Sequence, residues 1–265
     1  MKFWVLIPAR AGSTRLPDKP LLKIAGKPMI GHVVETAKKS GAEKVVVATD
    51  DKRVKNVAEN FGASSVITDI KHQSGSDRIA EAAGLLEAPD DLIIVNLQGD
   101  EPLMPSNIIK KVAKLKYAHP NVCVATVATP ITDISHVDNT NCVKVVINHQ
   151  NEAMYFSRSV IPHQREDYRK SIGSLIGKSS AEIQNTYLRH LGIYSFQVSD
   201  LKNFVSWGPC QLELHEKLEQ LRWLWYKKNI KVMIETQEPA IGVDTEQDLI
   251  KIRTMLQKNK IKGDI

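Results

Sequence analysis

Short β-branched runs alternate with helical-period stretches through the first half of the chain. Phe3 to Ile7 reads as a first strand, and after a polar loop Pro28 opens a helix whose Met29, Ile30, Val33, Val34 and Ala37 recur at helical spacing. Gly41 stops that helix. Lys44 to Thr49 follows as a second strand ending at Asp50-Asp51, then a helix to about Phe61, a short strand at Ser65 to Ile67, and a helix starting near Ser76. Leu92 to Leu97 reads as the strongest buried strand, and it runs directly into Gln98-Gly99-Asp100-Glu101-Pro102. This alternation predicts an α/β, Rossmann-like fold: an open, mostly parallel sheet with helices on both faces.

From about Pro130 the texture changes. Val143 to Ile147, Ala153 to Phe156 and Gly192 to Phe196 read as strands of a smaller α+β lobe, placed at roughly 130–212 within a single domain spanning 1–265. Glu166 to Asn185 carries too few apolar residues to offset its ordering entropy and reads as a loop. Leu214, Leu218, Leu221 and Trp225 share one face of a helix predicted over Leu212 to Tyr226. After the strand Ile230 to Ile234 comes Gly242-Val243-Asp244-Thr245, where Thr245 and Asp248 form a capping pair for a final helix.

Composition narrows the function classes. The net charge of +6 arises from 36 basic and 30 acidic residues, with Lys258, Lys260 and Lys262 in the basic tail. No basic stripe interleaved with aromatics accompanies it, so nucleic acid is not the expected partner. Cys123, Cys142 and Cys210 are widely spaced and include no C-x-x-C pair, which fits a reducing cytoplasm better than a disulfide framework or a zinc site. The apolar N-terminal run ends at Pro8 and Arg10, too soon for a signal-peptide core, and no other segment predicts membrane insertion.

Chemistry concentrates at strand ends. In open α/β sheets ligands bind beyond the carboxyl ends of the strands, where the loop after the first strand places Arg10, Arg15 and Lys19, with Gly12 allowing close backbone approach to phosphate. By spacing alone this loop is equally an ordinary basic surface loop, since it is neither a Walker pattern nor G-x-G-x-x-G. Asp100 and Asp244 each follow an apolar strand, so the pair has the makings of an oxygen-ligand Mg²⁺ site completed by substrate phosphates. Asp244 is also open to a helix-cap reading.

The loop Pro8-Ala9-Arg10-Ala11-Gly12-Ser13-Thr14-Arg15-Leu16-Pro17-Asp18-Lys19-Pro20-Leu21 resembles the signature P-A-R-x-x-S-T-R-L-P-x-K-P-L of the CMP-Kdo synthetases, the 3-deoxy-manno-octulosonate (Kdo) cytidylyltransferases. Further matches follow in order: Gly26 to Ile30, Ala48 to Asp50, His72 to Arg78, Asn96 to Pro102, Tyr155 to Arg158, Arg189 to Tyr194, Leu218 to Arg222 and Val243 to Thr245. The resemblance implies transfer of CMP from CTP to Kdo, for lipopolysaccharide biosynthesis, by a homodimer using Mg²⁺. It implies a nucleotide site of Ile7, Ala9, Arg10, Gly12, Ser13, Arg15, Lys19, Ser74, Gly75, Arg78, Gln98 and Asp100. Arg10, Lys19, Asp100 and Asp244 would carry catalysis, the two aspartates holding the metal. Arg158, His190, Tyr194 and Glu213 would form the sugar pocket, although His190 alone reads as a structural histidine and Arg158 as a surface arginine. Cys210 where relatives carry serine, and Ser76-Asp77 for threonine and glutamate, leave 8-amino-Kdo or another acidic sugar open as acceptor. A catalytically silent nucleotide-binding module is the remaining alternative, and intact Lys19, Asp100 and Asp244 argue against it.

Overall fold

The first strand, β1 (Phe3–Pro8), is buried at every position but one, because it has strands on both sides and helices on both faces. The computed structural model of the protein describes residues 1–12, 16–165, 187–236 and 242–261. The stretch Glu166 to Asn185 therefore lies outside the described residues, as do Ser13 and Arg15. After β1 come a small hairpin, β2 (Lys23–Ile24) and β3 (Lys27–Pro28), then α1 (Met29–Lys39), β4 (Lys44–Thr49), α2 (Lys52–Asn60), β5 (Ser64–Ile67), α3 (Gly75–Leu85), β6 (Ile93–Asn96), α4 (Ser106–Ala118) and β7 (Val124–Pro130). The second half continues with α5 (Ser135–Asp138), β8 (Lys144–Ile147), β9 (Ala153–Ser157), β10 (Leu188–Gln197), α6 (Val198–Ser206), α7 (Gln211–Glu216), α8 (Leu221–Trp225), β11 (Ile230–Ile234) and α9 (Glu246–Ile261).

Among the described residues the main sheet runs β11-β7-β10-β6-β1-β4-β5, with β8 paired to β10 and β9 to β8. β1 pairs in parallel with both β4 and β6, and β4 with β5. Strand period sorts the core into two layers. Phe3, Val5 and Ile7 face Ile30, Val33 and Val34 of α1 and Ile109 and Val112 of α4. Leu6 and Val46 face the other way, towards Ile79 and Ala82 of α3 and Phe204 of α6. The predicted apolar face of α1 is the buried one, and Gly41, at φ +81, ends the turn after it in a left-handed conformation that a Cβ would strain. The predicted cap of α9 is also present: Thr245 N–H donates to Asp248 Oδ2 at 2.9 Å, and Asp248 N–H to Thr245 Oγ1 at 3.2 Å.

Two expectations are corrected. Gly192 to Phe196 does not belong to a separate lobe. It is part of β10, which runs antiparallel between β6 and β7 in the middle of the main sheet, where Ile193 and Phe196 are core residues. The departure from the main sheet path is the β8–β9 hairpin, whose single registered pairing with β10 is Lys144 with Arg189. The helix predicted from Leu212 to Tyr226 is broken into α7 and α8 by Lys217, which is left-handed at φ 55. Leu218 and Leu221 are buried as the pattern requires, but Leu214 and Trp225 are each half exposed, so the apolar face does not continue across the break.

Chain order through the parallel strands is β1, then outward to β4 and β5, then back to β6 on the other side of β1. The carboxyl ends of β1 and β6 thus form the topological switch point at which such sheets bind ligands. No helix among the described residues is long and apolar enough to cross a membrane.

Candidate active site

The loops leaving β1 and β6 touch directly at the switch point. A Cβ on Gly99 would sit 2.9 Å from the Pro8 carbonyl oxygen and 3.3 Å from Ala9 Cβ, so only glycine allows this approach. The β1 loop then enters a 3₁₀ turn at Lys19, started by Asp18 in the left-handed region at φ 52. From this turn Lys19 Nζ donates to Asp100 Oδ2 at 2.8 Å and to Asp244 Oδ1 at 3.0 Å. Burial opposes the charge on Lys19, yet Asp100 and then Asp244 raise its pKa above the ordinary lysine value. The two aspartate segments are also tied by backbone, Val243 N–H donating to the Asp100 carbonyl at 2.9 Å. Thr245, not Asp244, supplies the capping side chain of α9, so the Asp244 carboxylate is turned towards Lys19.

A cavity of about 300 Å³ opens here, lined by Ala9, Arg10, Lys19, Ser74, Gly75, Arg78, Gln98, Asp100 and Asp244. The N-terminus of α3 points into it, Ser74 capping the helix by accepting Asp77 N–H at 3.1 Å, so oriented amides face the space where an anion would lie. Ile7 is fully buried in the core, and Pro8 beside it lines the cavity. Gly12 is exposed and lines none of the cavities described here. Arg78 lines the cavity wall with its guanidinium already engaged, donating to Thr68 Oγ1 at 2.6 Å and Asp50 Oδ2 at 3.1 Å.

The expected sugar residues divide between two neighbouring cavities. A space of about 810 Å³ shares Arg10, Ser74, Gln98 and Asp100 with the first and is lined further by Arg158, Tyr194 and Glu213. His190 instead lines a third cavity of about 240 Å³, on the other side of Tyr194. Arg158 donates from Nε to the Glu216 carbonyl at 2.7 Å and from Nη1 to the Thr140 carbonyl at 3.0 Å, so it braces the cavity wall. Glu213 is held by Arg222, which reaches its two oxygens at 2.8 and 2.6 Å and packs its guanidinium 4.1 Å from the Phe204 ring. Burial, and secondarily the Arg189 charge, lowers His190 to about 3. The Thr126 hydroxyl donates to the Ile193 carbonyl at 2.7 Å, so the 2.9 Å contact with His190 makes Nε2 the protonated ring nitrogen.

Residues without an assigned role in the sequence also face this space. Glu219 lines the first two cavities and Gln220 the second and third. Gln220 Oε1 accepts from Tyr194 Oη at 3.0 Å, and Ser76 Oγ donates to Glu219 Oε2 at 2.6 Å. The signal was the Leu218-Glu219-Gln220-Leu221-Arg222 motif, but a continuous helix gives no reason for both residues to face cavities; the break at Lys217 does. Glu101 is the other addition. Burial, then the neighbouring Asp100 charge, pushes its carboxyl up to about 8.

Residues 4–230 match the family model described as Cytidylyltransferase. A 3-deoxy-manno-octulosonate cytidylyltransferase of Coxiella burnetii (strain RSA 493 / Nine Mile phase I) is 49% identical over 253 residues, which are 96% of this chain and 99% of the relative. The enzyme of the same name from Haemophilus influenzae (strain PittEE) is 47% identical over 259 residues, covering 98% and 100% of the two chains. The chain belongs to the 3-deoxy-manno-octulosonate cytidylyltransferase family. A solved structure of CMP:2-keto-3-deoxy-manno-octonic acid synthetase complexed with CTP superposes with a TM-score of 0.84 at 37% identity, over 98% of this chain and 100% of that one. As a member of this cytidylyltransferase family the protein is a nucleotidyltransferase, and its Rossmann-like α/β fold is that of the synthetase.

Proposed function

We propose that this chain transfers the cytidylyl group of CTP to the anomeric hydroxyl of Kdo, forming CMP-Kdo and releasing pyrophosphate. The observation that carries this reading is that the first two cavities meet at Arg10, Ser74, Gln98 and Asp100. A triphosphate in one and an acidic sugar in the other would present their reacting ends to the same carboxylate. Little covalent chemistry falls to the protein in such a transfer, where alignment and charge stabilisation supply most of the rate. Arg10 and Lys19 stabilise the charge that builds on the departing pyrophosphate, and the α3 amides complement the triphosphate.

Asp100 and Asp244 suit a Mg²⁺ ion, because their oxygens already converge on one cation, the Lys19 ammonium, and hard divalent ions combine carboxylates with substrate phosphates and water. When bound, the ion supplies Lewis-acid charge to the α-phosphate. A homodimer and a cytoplasmic location complete the proposal: the family resemblance supports the first, and three widely spaced cysteines with no C-x-x-C pair suit a reducing compartment. Light scattering tests the dimer.

A pyrophosphate-release assay with CTP, Mg²⁺ and a panel of acidic sugars tests the reaction. Kdo is expected to give the highest kcat/KM. Preference for 8-amino-Kdo or an acylneuraminate would change the acceptor, and release with none of them would refute the reading.

A further inference from the structure

The turn from β4 into α2 holds the β1 loop at two separate points. Asp50, whose side chain is only 9% exposed, accepts Ala11 N–H on Oδ1 at 3.2 Å and Arg78 Nη2 on Oδ2 at 3.1 Å. Arg53, in the first turn of α2, reaches Asp18 Oδ1 from Nη2 at 2.7 Å and Asp18 Oδ2 from Nη1 at 3.3 Å. The same guanidinium is fixed by Asp51, the N-cap of α2, through Nε at 3.1 Å and Nη2 at 2.7 Å. Ala11 follows Arg10, and Asp18 precedes Lys19. Arg10 and Lys19, the two β1-loop cations that line the first cavity, therefore each have a chain neighbour anchored to this one turn.

The chemistry of both anchors favours a positioning role. A buried carboxylate at an anion-binding edge repels phosphate unless it is neutralised, and Arg78, 2% exposed, neutralises Asp50. Asp18 occupies the left-handed region at φ 52, which aspartate and asparagine tolerate, and the two-pronged contact with Arg53 fixes it where the turn presents Lys19. The family signature leaves position 18 open, so this anchor is not part of the motif that identified the loop. We infer that Asp50 and Arg53 are positioning residues for the nucleotide phosphates, Asp50 setting Arg10 through Ala11 and Arg53 setting Lys19 through Asp18. The identity of the nucleotide rests on the reading above; the brace itself does not.

Hydrogen exchange on the free protein and CTP titration test it together on wild type, Arg53→Gln, Asp18→Asn and their double variant. Asparagine tolerates the left-handed region, so Asp18→Asn removes the ion pair alone. Each single variant should speed exchange at the Leu21 and Leu22 amides and lower kcat/KM for CTP about 3–5-fold, as suits an exposed charge pair, with KM for the sugar unchanged. The double variant should be no worse than either single one, and Arg53→Lys should recover part of the loss. Asp50→Ala should speed exchange at Ala11 and weaken CTP binding about tenfold, while Asp50→Asn, which keeps an acceptor for Ala11, recovers most of it. Wild-type exchange and CTP handling in both exposed variants, or additive losses in the double, would overturn the inference even if Asp50→Ala fails to fold. A wild-type protein that does not bind CTP contradicts the proposed function instead, and the exchange data still decide the brace.

Discussion

Lys19 touches both aspartates, so replacing it removes a cation from the first cavity and also leaves two carboxylates without their shared partner. Lys19→Ala is expected to lower kcat by about 10²–10³-fold, with a smaller change in CTP affinity measured by titration, because the ammonium is worth most where charge develops. Arg158→Ala should raise KM for the sugar and also lower the melting temperature, since carbonyls of Glu216 and Thr140 lose their donor; CTP affinity should hold. His190 supplies a pH test. Its folded-state pKa of about 3 lies below the ordinary 6.5, so the unfolded chain binds the extra proton between those values. The stability from its neutral burial is complete above that upper value and is lost as pH falls towards the lower, at up to about 1.4 kcal/mol per pH unit. Denaturant midpoints at pH 7 and pH 5 should fall further apart in wild type than in His190→Gln. Arg10, Lys19, Asp100 and Asp244 were candidates by residue type and strand-end position, the family resemblance chose them over the surface-loop and helix-cap readings, and the structure brings all four to one cavity. Ile7, alternating with Phe3 and Val5, packs in the core, while Pro8 and Ala9 beside it line the first cavity.

Elements show where periodicity is sufficient and where it is not. The α1 stripe and the α9 cap are local signals, and both appear as read. The break between α7 and α8 is not local: Lys217 turns left-handed with its N–H on the Glu213 carbonyl, while Arg222 is drawn back onto the Glu213 carboxylate. Removing the Cβ at that position relieves a cost of about 1 kcal/mol, so Lys217→Gly should raise the melting temperature by roughly 2–4 °C in calorimetry. Unchanged or lower melting would show that the Lys217 side chain contributes more than its backbone costs. β7 carried no clear strand signal because its Val124-Ala125-Thr126-Val127-Ala128-Thr129 run mixes small and hydroxyl residues. Its burial comes from β10 and β11 on either side, which only the folded sheet supplies.

At the scale of the whole molecule, the chain brings distant segments to one edge by inserting β10 antiparallel between β6 and β7 and returning β11 parallel to β7. The parallel half of the sheet was readable from alternating strands and helices. The placement of β10 was not, because antiparallel insertion leaves the same strand pattern as a separate lobe. That insertion sets Tyr194 opposite Asn96, beside the Gln98 to Asp100 turn, and so joins the second cavity to the first. On the proposed reading Asp100 and Asp244 act as one cation-binding unit at this junction. Pyrophosphate release from CTP and Kdo by Asp100→Asn, Asp244→Asn and the double variant, across a Mg²⁺ titration, tests it most directly. Each single change should nearly abolish turnover, added Mg²⁺ should partly restore either one, and the double variant should be little worse than the singles. An Asp244→Asn protein with wild-type turnover and unchanged Mg²⁺ dependence would contradict it.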